Sequence, residues 1–261
     1  MYKQVKHNFN NVLITGASSG IGKALAEKLS QTGTKILFLC GRDSARLSEV
    51  SEKCRNMGVE VHSSIIDVKN KDTLVNWINE CNSIAAIDLV FANAGVATGQ
   101  NEDSESVRNT FDINVTGVVN TVLPAIEIFQ KRSDSGKSKG HIAITASVAG
   151  YHGMPSCPSY SATKACVKAW GEGLRGMLAH ENIRISVICP GFIRSRITDK
   201  NTCPMPFFME ADKAACIILH RLSKNAGLIA FPWQMRFAVW ILSILPNRLS
   251  DAIYPKIPGK V

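Results

Sequence analysis

Thr15-Gly-Ala-Ser-Ser-Gly-Ile-Gly22 is the stretch that decides how this chain folds. It follows the apolar run Val12-Leu-Ile14 and leads into Lys23-Ala-Leu-Ala-Glu-Lys-Leu29, which has good helical propensity. A strand, a tight glycine turn and a helix start together present backbone N–H groups and a positive helix end to an anion. Missing Cβ atoms at Gly16, Gly20 and Gly22 let a ligand come close. The spacing is G-x-x-x-G-x-G, distinct from the G-x-G-x-x-G of the commoner dinucleotide fingerprint. Taken alone, it also fits a plain strand-to-helix turn.

Outward from this turn, short apolar runs alternate with longer segments of helical spacing, the pattern of β-α units stacked into a parallel sheet. Seven strands are expected, at 12–15, 35–40, 59–66, 88–92, 141–146, 184–189 and 228–231. Helices are expected near 20–32, 43–57, 69–82, 103–131, 159–181 and 210–224. The fold class is therefore α/β: a Rossmann-like, doubly wound seven-stranded parallel sheet in three layers, with a short apolar helical extension at the C-terminus. No internal repeat is evident, so 1–261 reads as one domain, with a core over about 10–231 and an extension over 232–261.

Composition narrows the classes. With 45% hydrophobic and 20% charged residues, a disordered chain is excluded. The 30 Lys and Arg against 21 Asp and Glu give +9, but they are scattered and follow no nucleic-acid-binding signature, so no nucleic-acid partner is expected. The eight cysteines, at 40, 54, 81, 157, 166, 189, 203 and 216, form no C-x-x-C pair. They read as free, buried thiols of a reducing compartment, and no metal site is expected. The polar start, residues 1–11, lacks the pattern of a secretory signal, which makes the expected location cytoplasmic.

Further landmarks follow in order. Ala92-Asn93-Ala94-Gly95 ends the fourth strand, Asn114 lies in Asp112-Ile-Asn-Val-Thr-Gly117, and Ser147 lies in Ile144-Thr-Ala-Ser-Val-Ala-Gly150. Tyr160-Ser-Ala-Thr-Lys164 comes next, then Pro190-Gly191 after the sixth strand. With the glycine turn, this series resembles the short-chain dehydrogenase/reductase family over about residues 10–231. The departure is Ala92, where the family's N-N-A-G has its first Asn.

Tyr160 and Lys164 are four apart at a helix start, so they share a face. An ammonium beside a phenol favours the phenolate and is expected to lower its pKa from about 10. Tyr160 would then be general acid in carbonyl reduction and general base in alcohol oxidation. Ser147, at a strand's C-terminal end, can donate to a substrate carbonyl oxygen as charge develops there. The resemblance implies that Lys164 also bonds the nicotinamide ribose. It further implies that Asn114 holds a water in a proton relay reaching the lysine; a satisfied helix kink is the alternative.

For the cofactor, the resemblance places the diphosphate on Gly16, Ser18, Ser19, Gly20, Ile21 and Gly22. It places the adenine near Asp67 and Val68, the adenosine ribose near Asn93, Ala94 and Gly95, and the nicotinamide near Pro190, Gly191 and Ile193, with Ser195 a candidate for the nicotinamide carboxamide or the diphosphate. The second strand ends Leu39-Cys-Gly-Arg-Asp43, with Gly41 where a carboxylate would select NAD(H) and Arg42 next to it. A guanidinium suits a 2′-phosphate, so NADP(H) is preferred and NAD(H) is the alternative. Asp43 could instead neutralise Arg42 or turn toward the ribose.

On the substrate side, the resemblance implies a flap between Phe192 and Asp212, and its Met205, Phe207, Phe208 and Met209 point to an apolar, adaptable pocket. His152, Met154 and Cys157 are further candidates to line it. The expected partners are a hydrophobic small-molecule carbonyl or alcohol and, through helices 103–131 and 159–181, further copies in a homodimer or homotetramer. After the last strand, Phe237 to Leu245 is apolar almost all round and too short to span a bilayer. The segment 233–248 suits a membrane surface, another subunit or the chain's own domain.

The expected activity is NADP(H)-linked interconversion of a carbonyl and a secondary alcohol. The rival is a non-catalytic dinucleotide-binding or redox-sensing protein on the same scaffold. Epimerisation or dehydration of sugar nucleotides would call for a longer substrate domain than the 30 residues after the last strand.

Overall fold

The computed structural model describes residues 7–97, 102–132, 139–199, 204–246 and 249. Seven parallel strands form one sheet in the order β3-β2-β1-β4-β5-β6-β7. They are β1 (Asn11–Thr15), β2 (Ile36–Gly41), β3 (Glu60–Ile65), β4 (Leu89–Ala92), β5 (Gly140–Thr145), β6 (Ile183–Pro190) and β7 (Leu228–Phe231). The order reverses between β1 and β4. A crevice opens there at the carboxyl ends of the strands, where open α/β sheets place their ligands.

The inner strands read as apolar runs because both faces are covered, while the edge strand β3, Glu-Val-His-Ser-Ser-Ile, is polar and partly exposed. Val12, Ile14, Leu37, Leu39, Leu89 and Phe91 pack on one face, against α1 (Gly20–Ser30), α2 (Ser44–Arg55) and α7 (Ala211–Ser223). Leu13, Phe38, Val90, Ala92, Ile142 and Ile144 pack on the other. There they meet α3 (Lys71–Ile84), α5 (Gly117–Gln130) and α6 (Pro158–Met177). Alternation is thus present inside each run, with a hydrophobic layer at both destinations.

The long helix expected over 103–131 is divided. α4 (Ser104–Phe111) runs into a π-helical turn, Asp112–Thr116, before α5 begins. The helix expected over 159–181 stops at Met177, and a short 3₁₀ turn, Ala179–Glu181, closes on Asn182 with φ +60°. A further helix, α8 (Trp233–Ile244), follows β7. Cys40, Cys54, Cys81, Cys157 and Cys189 are buried, but Cys166 is exposed on α6 and Cys216 is half-buried, so the expectation of uniformly buried thiols fails there. Cys203 lies outside the described residues. Among the described residues no helix is long and apolar enough to cross a membrane.

His141 is buried between β5 and β6. The Ser186 hydroxyl donates to the Ala226 carbonyl at 2.6 Å, which leaves its oxygen to accept from His141 Nε2 at 2.8 Å. Burial, then the charges of Arg184 and Arg175, push His141 down from 6.5 to about 3. The unfolded chain takes this proton below pH 6.5 and the folded chain does not, so stability is full above 6.5 and declines as pH falls toward 3. Between pH 6 and 4 this residue contributes a slope of up to about 1.4 kcal/mol per pH unit. Urea titrations across that range are expected to show a shallower slope for His141→Gln than for the native chain; equal slopes would refute the assignment.

Candidate active site

The site is assembled where β1, β4, β5 and β6 end. Gly16 and Gly20 take positive φ, +69° and +54°, the left-handed conformation that glycine adopts without steric cost. The turn is then fastened to β4. The Thr15 hydroxyl donates to the Phe91 carbonyl at 3.2 Å and accepts from the N–H groups of Asn93 and Ala94 at 3.1 and 3.2 Å. The Asn93 amide donates to the carbonyls of Thr15 and Gly16 at 3.1 and 3.3 Å, so it is committed to the turn. A Cβ on Gly22 would lie 2.3 Å from the Gly16 carbonyl oxygen and 2.7 Å from Asn93 Nδ2.

Ser19 begins α1 in extended geometry, its side chain makes no capping bond, and the first turn holds no acidic residue. The positive end of α1 is therefore not neutralised from within the helix, which suits an anion. Beside it lies a cavity of about 300 Å³, lined by Ser18, Ser19, Gly20, Lys23, Arg46 and Ser195 among others. It opens along the glycine turn and not over Tyr160.

At the end of β2, a Cβ on Gly41 would approach Ser18 Oγ at 3.1 Å, so this position has little room for a side chain. Asp43 does not neutralise Arg42. Its carboxylate caps α2, accepting from the Arg46 N–H at 3.0 Å, and pairs with the Arg46 guanidinium at 2.6 Å. Arg42 is half-exposed and only loosely paired, with Asp67 at 3.7 Å. Val68 is buried against Gly117, and its carbonyl accepts from Asn120 at 3.0 Å.

Ser147 follows β5 and is buried; its hydroxyl donates to the Pro190 carbonyl at 3.4 Å and accepts from the Ala149 N–H at 3.1 Å. It also hydrogen-bonds Tyr160. Lys164, one turn along α6, is buried, with Nζ 5.7 Å from the Tyr160 ring centroid, and donates to the Thr145 carbonyl at 2.9 Å. The helix pattern therefore does place phenol and ammonium together. The expected lowering of the phenol's pKa does not follow: in the chain alone, burial pushes Tyr160 up to about 12, with Ser147 opposing, and pushes Lys164 down to about 8. Removing water from around either group disfavours its charged form, which is the main cause of both shifts.

Asn114 sits in the π-helical turn, fully buried. Its amide accepts from the Val96 N–H at 2.8 Å and donates to the Val96 carbonyl at 2.9 Å and to Thr163 Oγ1 at 3.1 Å. Thr163 in turn donates to the Tyr160 carbonyl at 2.8 Å. A Cβ on Gly95 would stand 3.2 Å from Asn114 Oδ1 and 3.3 Å from Lys164 Nζ, so both groups converge on that glycine. Ile193 is buried and bridges Met209, while its carbonyl accepts from Thr198 at 2.9 Å. Ser195 lies against Gly20. The Gly191 N–H donates to the Phe231 carbonyl at 2.8 Å.

Sequence reasoning passed over several residues that organise this site. Thr163 and Thr145 join the pieces just described, and only their places inside recognised motifs could have drawn notice. Glu102 gave no signal: from the loop before α4 it accepts from the Ser159 hydroxyl and N–H at 2.9 and 3.2 Å, fixing the N-terminus of α6 that carries Tyr160.

Comparison with known proteins finds matches over most of the chain. The family model described as short chain dehydrogenase matches residues 10–204. An uncharacterized oxidoreductase of Myxococcus xanthus is 33% identical over 249 residues, 94% of this chain and 96% of that protein. Human 17-beta-hydroxysteroid dehydrogenase 13 is 25% identical, over 92% of this chain and 80% of that protein. The solved structure of a short chain dehydrogenase/reductase from Burkholderia phymatum in complex with NAD superposes with a TM-score of 0.80 at 23% identity, covering 99% and 98% of the two chains.

Gly22→Ala tests the packing of the turn. A methyl group at this position forces the turn and the end of β4 apart, at a cost of about 2 kcal/mol. A lower melting temperature and weakened dinucleotide binding in a fluorescence titration are expected. Native values of both would refute the close packing.

Proposed function

The chain belongs to the short-chain dehydrogenase family, and from that premise we propose that it is an oxidoreductase interconverting a carbonyl and a secondary alcohol, with NADP(H) preferred over NAD(H) and a hydrophobic substrate. The observation that carries this reading is the convergence of Ser147, Tyr160 and Lys164 at the end of β5, beside the glycine turn.

A nicotinamide dinucleotide fits the residues present. The un-neutralised start of α1 and the glycine turn, with Gly16, Ser18, Ser19, Gly20, Ile21 and Gly22, would hold the diphosphate. Arg42 would hold a 2′-phosphate, Asp67 and Val68 the adenine, and the Asn93-Ala94-Gly95 backbone the adenosine ribose. Tyr160 and Lys164 would hold the nicotinamide ribose, with Pro190, Gly191, Ile193 and Ser195 around the ring. When bound, the nicotinamide supplies the hydride in reduction and accepts it in oxidation.

The chain's own residues handle the proton. Burial keeps the Tyr160 phenol protonated at neutral pH, which suits a general acid delivering its proton to the carbonyl oxygen. The Ser147 hydroxyl, held by the Ala149 N–H, would turn its one proton from the Pro190 carbonyl, 3.4 Å away, to the same oxygen as negative charge grows there. The Lys164 ammonium then stabilises the phenolate that remains. Asn114 acts through Thr163 on the first turn of α6, so it positions Tyr160. NADP(H) preference is supported by the clamping of Asp43 by Arg46, which leaves Arg42 without a strong partner. Exposed Phe111, Leu123 and Met177 on α4, α5 and α6 support pairing of two copies through those helices, in a cytoplasmic enzyme.

NADPH oxidation measured against carbonyls graded from small and polar to large and apolar is expected to rise with apolar size. Tyr160→Phe should keep cofactor affinity while turnover falls about a hundredfold or more; retained turnover would remove Tyr160 from the acid role. Arg42→Asp should weaken NADPH binding about tenfold and leave NADH binding near its native value. An unchanged ratio would place the 2′-phosphate elsewhere.

A further inference from the structure

On α8, Trp233, Phe237, Trp240 and Ile244 are 71%, 54%, 48% and 59% exposed. Their spacing of four, three and four residues puts them on one face, and Phe237 stacks on Trp240 with ring centroids 6.0 Å apart. The opposite face is the one the chain covers. Val239 is buried in the core, and a Cβ on Gly191 would lie 2.6 Å from Met235 Sδ. Packing within the chain therefore accounts for one side of the helix and leaves an aromatic stripe facing outward.

We propose that α8 is an interfacial anchor that lays this stripe into an anionic membrane surface. Twelve residues make a helix of about 18 Å, too short to cross a bilayer but long enough to lie in its interface. Two of the four stripe residues are Trp, whose rings settle at the headgroup level. Charge selects between the occupants. From Pro232 to Val261 the sequence holds Arg236, Arg248, Lys256 and Lys260 against the single acid Asp251. A second copy carries the same net positive charge in this stretch and does not complement it, whereas anionic lipid does.

Docking in this way also orients the site. α8 begins directly after β7 and packs on Gly191 and beside the Val148–Gly150 turn that follows Ser147. The anchor thus holds the substrate side of the crevice near the lipid. On the reading above, a hydrophobic carbonyl would then reach Ser147 and Tyr160 from the membrane, so this last step rests on the proposed oxidoreductase function.

The test is sedimentation of the full chain with phosphatidylcholine vesicles, with and without about 30% phosphatidylserine. Binding to the anionic vesicles, weak binding to the neutral ones and release at high salt are expected. The combined variant Trp233→Ser, Phe237→Ser, Trp240→Ser and Ile244→Ser should bind about tenfold less, with melting temperature and dinucleotide affinity unchanged. Should that variant not fold, quenching of native tryptophan fluorescence by brominated lipid reads the insertion directly. Failure of the native chain to bind either vesicle would overturn the proposal, as would equal binding to both. So would a dimer that the variant converts to monomer while vesicle binding persists. Because dinucleotide binding and turnover are measured apart from the vesicles, failure of the anchor and failure of the oxidoreductase reading give different results.

Discussion

Thr145, the last residue of β5, joins the two halves of the site. Its hydroxyl donates to Asn93 Oδ1 at 3.3 Å, and Asn93 in turn grips the glycine turn. Its carbonyl accepts the buried ammonium of Lys164. A single strand end therefore sets the distance between the start of α1 and the charged end of Lys164. The parallel sheet makes this stiff, because β4 and β5 are paired along their length and neither end can move independently. The glycine turn and the Ser147, Tyr160 and Lys164 cluster are parts of one frame.

The same frame carries an electrostatic cost. Lys164 is buried, its ammonium donating to a neutral carbonyl, with the half-buried Tyr160 beside it. Burial opposes both charged forms, which holds the pair in the neutral-phenol state of the chain alone.

Much of this was legible in the sequence. Each of the seven strands lies within a stretch expected to form one, or differs from it by a residue or two at its ends, and the last, Leu228–Phe231, has the limits expected for it. The glycine turn and the Tyr160 to Lys164 spacing also marked their places, because local geometry depends on them. What escaped depends on choices between competing partners or on how deeply elements pack. Nothing in the sequence of Asp43 says that it will cap α2 and pair with Arg46 in preference to Arg42, since all three charges are neighbours. The pKa of Tyr160 follows from how deeply α6 is packed, which spacing alone does not report. Cys166 was read from an apolar neighbourhood, yet it falls on the outward side of α6.

The π-helical turn at Asp112–Thr116 was invisible for the same reason, and it bears on how the chain keeps its faces aligned. Thr110 in α4 and Val118 in α5 are both buried, eight residues apart. In an uninterrupted α-helix they would point about 80° apart. With one residue absorbed by the wider turn, the offset falls to about 20°. The turn thus behaves as a phase corrector: winding the same residues as plain α-helix would swing the two buried sides apart, whereas deleting one residue within it would leave a smoother helix with the two halves still in phase.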